Sequence, residues 1–126
     1  MLHFNHAAEI DQLVRTALRQ LRQAGATLLN QAVMLRGVND TCEAQTPLCL
    51  KPLVNEHVLP YYVHQLDPAS AMHFAVPDAS AVAIMAEMQT KLPGYAVPKR
   101  SFRIAGQPSK NVDYAFCVTD QRLLLG

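Results

Sequence analysis

The residue in this chain with the most specific chemical potential is Lys110, which ends a Gly-x-Pro-Ser-Lys string. A lysine amine forms an imine with an aldehyde only after it loses its proton, which requires a partly desolvated or cation-biased position. By itself, a lysine in such a string is usually a solvated loop residue. The string therefore marks a candidate for binding an aldehyde cofactor, and other residues must support it.

Three further side chains could bind a ligand. Asp67 follows a strand-like run rich in aromatic residues, although an aspartate before a proline at a strand end is commonly a turn residue. His3 and His6 are three positions apart, a spacing compatible with a metal site. Because no third ligand is near them in sequence, we expect no metal site.

The three cysteines do not form a pattern typical of a metal cluster. Cys42 and Cys49 are seven positions apart with Pro47 between them, and Cys117 is distant. An iron–sulfur cluster needs several thiolates that converge on it, usually at close spacing. We expect ordinary buried or surface thiols.

Composition bounds the class of protein. The chain has 126 residues, of which 50% are hydrophobic, enough for one modest core and not for two domains. The formal net charge of +1 gives no electrostatic argument for nucleic acid or an anionic membrane. No apolar run approaches the roughly 20 residues that span a bilayer. The first residues lack signal-peptide features, so a cytoplasmic location is expected.

Hydrophobic periodicity predicts alternating helices and strands. Helical patterns span residues 7–24, 41–58 and 78–91, and strand patterns span residues 28–35, 59–66, 95–97 and 112–118. Alternation with short connections is typical of parallel β/α units with right-handed crossovers.

Caps and apolar faces define each helix further. We expect Asn5 to cap the first helix, Gly25 to end it, and Asp78 to cap the third. We expect the second helix to be short or broken, because Pro52 falls inside it. Pro47 is acceptable if Thr46 caps that helix. The predicted buried faces comprise Ile10, Leu13, Val14, Ala17, Leu18 and Leu21 in the first helix, and Val82, Met85, Met88 and Leu92 in the third.

A series of short strings gives the chain a family resemblance. Together, in order and spacing, they resemble the C-terminal part of the lysine 2,3-aminomutase family. The strings are His3-Phe4-Asn5-His6, Asn30-Gln31, Arg36-Gly37-Val38-Asn39-Asp40, Pro60-Tyr61-Tyr62 leading to Asp67, His73-Phe74, Gly94-Tyr95-Ala96-Val97-Pro98 and Pro108-Ser109-Lys110. The Pro-Ser-Lys string is similar to the branch that makes β-lysine for modification of elongation factor P.

The resemblance implies a fold and an activity. The fold would be a partial (β/α) barrel, the C-terminal half of a radical S-adenosylmethionine barrel, with residues 1–126 forming a single incomplete domain. The family is an intramolecular aminotransferase, an isomerase that moves the amino group of L-lysine from the α- to the β-carbon by a radical mechanism. Its cofactors are pyridoxal phosphate, S-adenosylmethionine and a 4Fe–4S cluster.

The resemblance also implies site residues. Lys110 matches the lysine that binds pyridoxal phosphate, and Asp67 matches the carboxylate that anchors the distal ammonium of the substrate. His3 and Gln31 match positions that contact S-adenosylmethionine. In such barrels, chemistry collects at the C-terminal ends of the strands.

The chain departs from the family pattern at two points. Arg103 stands where the family usually has a second acidic substrate contact, and the Cys-x-x-x-Cys-x-x-Cys triplet is missing. We therefore expect a fragment that is inactive alone and that self-associates through exposed strand edges. A free-amino-acid (lysine or glutamate) 2,3-aminomutase fragment and a non-catalytic small α/β binding module remain as alternatives.

Overall fold

The computed structural model describes residues 1–66, 73–103 and 110–113, the last four mainly as backbone. Their order is helix and strand in alternation, as the periodicity predicts. The helices are α1 (Gln12–Gln23), α2 (Cys42–Glu56) and α3 (Asp78–Lys91); the strands are β1 (Leu28–Met34), β2 (Val58–Gln65), β3 (Lys99–Arg103) and β4 (Lys110–Asp113); and 3₁₀ turns lie at Ala7–Glu9 and Gly94–Ala96. No described helix is long and apolar enough to cross a membrane.

The four strands form one sheet in the order β1-β2-β3-β4. The first three are parallel to one another, which confirms the α/β prediction. β4 instead runs antiparallel to β3, a pairing that uniformly parallel units do not predict. Residues 104–109 alone separate these two strands, whereas a parallel connection needs about a dozen residues or more.

The described helices pack on one face of this sheet. Met34 of β1 and Val63 of β2 lie in a core with Leu48 of α2 and Met88 of α3. α1 places Leu18 in a smaller cluster with Leu28 and Val58, which lie on the same face of the sheet. Strand order advances in one direction from β1 to β3, and crossovers of one hand then place the connecting helices on one face.

The first helical segment differs from its prediction at its start. A 3₁₀ turn at Ala7–Glu9 precedes α1, which is capped by Asp11, whose Oδ1 accepts from Val14 N at 2.9 Å. Asn5 is therefore not its N-cap; its Oδ1 accepts from Val33 N at 2.8 Å. Gly25 does follow the helix end, with φ of 94°, as predicted.

Half of the predicted apolar face of α1 is exposed. Leu18 is buried, and Ile10 and Val14 pack against its cluster. Leu13, Ala17 and Leu21 face solvent, with Leu13 82% exposed. The apolar stripe predicted for α1 is therefore wider than the part of the helix surface that the described sheet covers.

The prediction of a broken second helix is wrong. α2 is continuous over 15 residues and contains both Pro47 and Pro52. Its N-cap is Thr41 rather than Thr46, with the Thr41 hydroxyl accepting from Ala44 N at 3.1 Å. Pro52 is itself buried in the contact between α2 and the rest of the chain. Tertiary packing of this kind usually supplies most of a helix's stability and here outweighs the loss of two backbone donors.

The bounds of α3 match the prediction, but its cap and face differ. Pro77 is the N-cap, and Asp78 instead accepts a 2.6 Å hydrogen bond from Gln65 Nε2. Met85, Met88 and Leu92 are buried as predicted, whereas Val82 is 49% exposed.

The prediction of a strand at residues 95–97 is also wrong. These residues belong to the 3₁₀ turn at Gly94–Ala96 and its cap, and β3 begins at Lys99. Of the predicted strand at 112–118, only the start falls within β4, and the rest lies outside the described residues.

Candidate functional site

The sheet face opposite the helices carries polar and aromatic side chains, and we call it the open face. Its polar and aromatic residues include Gln31 of β1, Tyr62 and His64 of β2, and Lys99 and Ser101 of β3. Pairing places Gln31, Tyr62 and Lys99 in one row across the strands, and Val33, His64 and Ser101 in the next. Since side chains alternate between faces along a strand, these residues share one surface.

An irregularity in β2 sets which of its residues reach the open face. Asn30 pairs with Pro60 and Gln31 pairs with Tyr62, so Tyr61 has no partner in β1. This bulge shifts the alternation by one residue: Pro60 and Val63 are both buried, although their spacing is odd. Without the shift, Tyr62 and His64 would point towards the helices.

A chain of hydrogen bonds crosses the open face. Ser101 Oγ contacts His64 Nδ1, and His64 Nε2 lies 3.0 Å from Gln31 Oε1. Gln31 Nε2 in turn lies 3.1 Å and 3.2 Å from the two ring nitrogens of His3. This hydrogen-bond chain joins three neighbouring strands and the N-terminal segment, and it brings together the predicted residues His3 and Gln31.

The N-terminal segment is held beside β1 by backbone and side-chain amides. Leu2 N donates to Leu29 O at 2.8 Å, and Gln31 N donates to Leu2 O at 3.0 Å. Asn30 then accepts from Phe4 N at 2.8 Å and donates to Phe4 O at 3.1 Å. His3 lies between these two sets of hydrogen bonds, so its position is determined by the edge of β1.

The buried side-chain amide of Asn39 also holds the N-terminal segment in place. Asn39 is 0% exposed, and its Nδ2 donates to Asn5 O at 2.7 Å and to Val33 O at 2.8 Å. Its Oδ1 accepts from Leu35 N at 2.7 Å. Every polar atom of this amide thus has a partner, as buried polar groups require.

Aromatic rings and a cation lie beside the hydrogen-bond chain. The ring of Tyr62 stacks on that of His64, with centroids 5.4 Å apart and planes at 24°. Tyr61 meets Tyr62 edge to face at 4.3 Å. Lys99 Nζ lies 5.1 Å and 5.9 Å from the Tyr61 and Tyr62 centroids, within the range of cation–π attraction. The face therefore combines a positive charge, π surfaces and hydrogen-bonding groups.

Of two other predicted site residues, the structure describes one by its backbone pairing and does not describe the other. Lys110 begins β4, where its backbone pairs with Arg103, and Asp67 lies outside the described residues. Sequence reasoning missed His64 and Ser101. His64 lies in the strand pattern at residues 59–66, but Ser101 lies in none of the predicted strands, and the pairing of β2 with β3 is needed to bring the two together.

The described cysteines do not fit an iron–sulfur cluster. Cys42 and Cys49 are both buried in α2, and Cys42 Sγ contacts the Thr46 hydroxyl at 3.7 Å. Burial, with a smaller effect from Cys42, raises the pKa of Cys49 from 9.0 to about 12, which opposes the thiolate that a cluster requires. Within residues 1–66, 73–103 and 110–113, no group of three or more His, Cys, Asp or Glu side chains could hold a metal ion.

Parallel strands joined by helices are typical of the α/β class of proteins. No family model matches the chain. It is nevertheless a homologue of the L-lysine 2,3-aminomutases and matches a C-terminal fragment of that family.

Three relatives illustrate the match. The L-lysine 2,3-aminomutase of Escherichia coli (strain K12) is 47% identical over 109 residues, which are 86% of this chain and 32% of that protein. The Haemophilus influenzae protein of the same name is 42% identical over 87% of this chain and 32% of its own length. That of Clostridium subterminale is 39% identical over 76% of this chain and 23% of its own length. The chain thus spans about a third or less of these relatives.

Proposed function

We propose that this chain is part of a lysine 2,3-aminomutase-like isomerase that converts L-lysine to β-lysine. The observation that carries the proposal is the 47% identity to the Escherichia coli L-lysine 2,3-aminomutase over 86% of the chain. We further propose the branch that modifies elongation factor P, on the basis of the Pro108-Ser109-Lys110 string. A cytoplasmic location stays a prediction.

In this proposal, residues 1–126 form one incomplete domain, the C-terminal half of a (β/α) barrel. The parallel order β1-β2-β3 and the helices on one face support it, because a barrel wall has helices outside and strands inside. The open face would then line the barrel interior. β4, being antiparallel, would lie where the regular alternation ends.

Two cofactors would bind in this proposal, and each would use different residues. His3 and Gln31 offer ring nitrogens and an amide for S-adenosylmethionine, and they are already in contact with each other. Lys110 would bind pyridoxal phosphate. Its backbone pairs with Arg103 at the end of β3. When bound, these cofactors supply the radical and electron-accepting chemistry, while the protein positions them and excludes water.

Asp67 is proposed to hold the distal ammonium of the substrate. It lies two residues after the end of β2, and catalytic residues of β/α barrels collect at such strand ends. Arg103 is exposed at the end of β3 and supplies no carboxylate there. Substrate selection would therefore depend on Asp67 more heavily than in a site with two acids.

The cluster is not provided by the described residues, and the cysteine triplet is absent from the sequence. We therefore propose that the chain has no aminomutase activity alone, even with iron, sulfide and S-adenosylmethionine added. Turnover of lysine to β-lysine by the isolated chain would overturn this reading.

A chimera tests the function directly. The matched segment of the Escherichia coli enzyme is replaced by this chain, and β-lysine formation is measured with the cluster and both cofactors loaded. We expect activity, loss of activity in Lys110→Ala, and retention in the control Lys51→Ala, which alters an exposed lysine of α2. A cluster-loaded, folded chimera without turnover, beside an active parent, would refute the proposal. L-glutamate assayed in parallel tests whether Arg103 favours an acidic substrate.

A further inference from the structure

We propose that His64 and Ser101 are positioning residues that fix the amide of Gln31, and through it His3, in one orientation towards a ligand. The inference rests on the proposed function, in which His3 and Gln31 contact S-adenosylmethionine. It adds two residues that neither the sequence pattern nor the family resemblance assigned to the site.

The direction of each hydrogen bond follows from the amide of Gln31. Its Oε1 only accepts, so the His64 Nε2 at 3.0 Å must carry the proton and donate. In a neutral imidazole the other nitrogen, Nδ1, is then an acceptor. Ser101 Oγ is in contact with Nδ1 and donates its hydrogen to it. Because a hydroxyl can donate or accept, Gln31 Oε1 sets the tautomer of His64, and Ser101 holds the other side of the ring through Nδ1.

The same polarity continues to His3. Gln31 Nε2 only donates, and it lies 3.1 Å and 3.2 Å from the two His3 ring nitrogens. Gln31 Nε2 therefore faces the His3 ring, while Oε1 faces His64. If the Gln31 amide turned over, Nε2 would meet the donor nitrogen of His64, and the hydrogen bond between Gln31 and His64 would be lost.

Burial and packing make this arrangement well determined. Ser101 is 2% exposed, so its hydroxyl needs a hydrogen-bond partner within the protein. Tyr62 stacks on the His64 ring and limits its rotation. The residues lie on adjacent strands, with His64 directly opposite Ser101. Binding sites commonly keep the side chains that contact the ligand in productive geometry through neighbouring residues that do not touch the ligand themselves.

The first test is nuclear magnetic resonance on the ¹⁵N-labelled 126-residue chain at pH 8. Long-range ¹H–¹⁵N correlations report which nitrogen of His64 carries the proton, and we expect Nε2. Ser101→Ala should change the tautomer populations and shift the side-chain amide signals of Gln31. Ser101→Thr keeps the hydroxyl and should restore both.

Matched substitutions at His64 separate positioning from general packing. His64→Leu should shift the Gln31 amide signals, whereas His64→Gln, which can still donate to Oε1, should largely restore them. Val33→Ala is the control, because Val33 pairs with His64 across the strands and lies outside the hydrogen-bond chain. Binding of S-adenosylmethionine should weaken about five- to tenfold in His64→Leu, the effect of about one lost hydrogen bond.

The outcomes distinguish this inference from the function on which it rests. A proton on Nδ1 of His64, or Gln31 signals that respond to Val33→Ala as strongly as to His64→Leu, would overturn the positioning role. Unchanged affinity in His64→Leu would overturn it as well. If the spectra are as expected but the wild-type chain does not bind S-adenosylmethionine, the proposed ligand is wrong and the positioning of Gln31 stands.

Discussion

Replacing Asn39 by alanine should destabilise this chain strongly, because its amide ties three segments together. Nδ2 donates to Asn5 O and Val33 O, and Oδ1 accepts from Leu35 N, all within 2.8 Å. The variant loses three hydrogen bonds, each of which contributes about 1 kcal/mol. We expect the free energy of unfolding to fall by about 3 kcal/mol. The loss is larger if water does not reach the backbone groups that the Asn39 amide leaves without a hydrogen bond.

Urea unfolding followed by circular dichroism measures this change. Asn55→Ala is the matched control, since Asn55 is exposed on α2, and it should change the free energy of unfolding by no more than about 0.5 kcal/mol. If Asn39→Ala does not fold, Asn5→Ala removes one hydrogen bond, from Val33 N, and should cost about 1 kcal/mol. A loss below about 1 kcal/mol in Asn39→Ala would refute the reasoning, because other partners would then satisfy the freed groups.

Four further outcomes are expected. Borohydride reduction after incubation with pyridoxal phosphate should label Lys110 before Lys51, Lys91 and Lys99, and equal labelling in a peptide map would remove the functional case for Lys110. The buried thiol of Cys49 should resist alkylation until urea unfolds the chain. Because the pKa of that thiol is about 12 when folded and 9.0 ordinarily, the free energy of unfolding should fall as pH rises between these values, more steeply than in Cys49→Ala; equal slopes would contradict this. Size-exclusion chromatography with a hydrophobic dye should show self-association or dye binding, since β1 and β4 are outer strands of the described sheet, whereas a monodisperse monomer with a cooperative melt and little dye binding would favour the non-catalytic module.

The bounds of a helix were predicted best where proline or glycine residues next to it in sequence mark its ends. α3 matches its predicted bounds, because a proline precedes it and Pro93-Gly94 follows it closely. The break predicted in α2 failed because the propensity penalty of proline is local, whereas the burial of Pro52 depends on the assembled core. The prediction that the leucines of α1 are buried failed in part for a related reason. Periodicity identifies an apolar stripe on a helix, but it does not show which part of that stripe another element covers.

The sequence indicated two residues of the hydrogen-bond chain, but not the geometry that joins them. The family resemblance pointed to His3 and Gln31, and the structure brings them into contact. His64 and Ser101 are 37 positions apart, and their meeting depends on the pairing of β2 with β3. A one-residue change in alignment would move either side chain to the other face, and single-sequence patterns do not determine that alignment.

The bulge in β2 also determines where this strand can change length during evolution. Tyr61 is the residue without a partner in β1, so its deletion would leave Pro60 and Tyr62 paired as they are and would keep both faces of the strand. Proline inside a sheet is usually found at such irregular points, which agrees with Pro60 beside the bulge. Deletion of a residue between Tyr62 and Gln65 would instead exchange polar and buried side chains. Among homologues, a length difference within this strand should therefore occur at position 61.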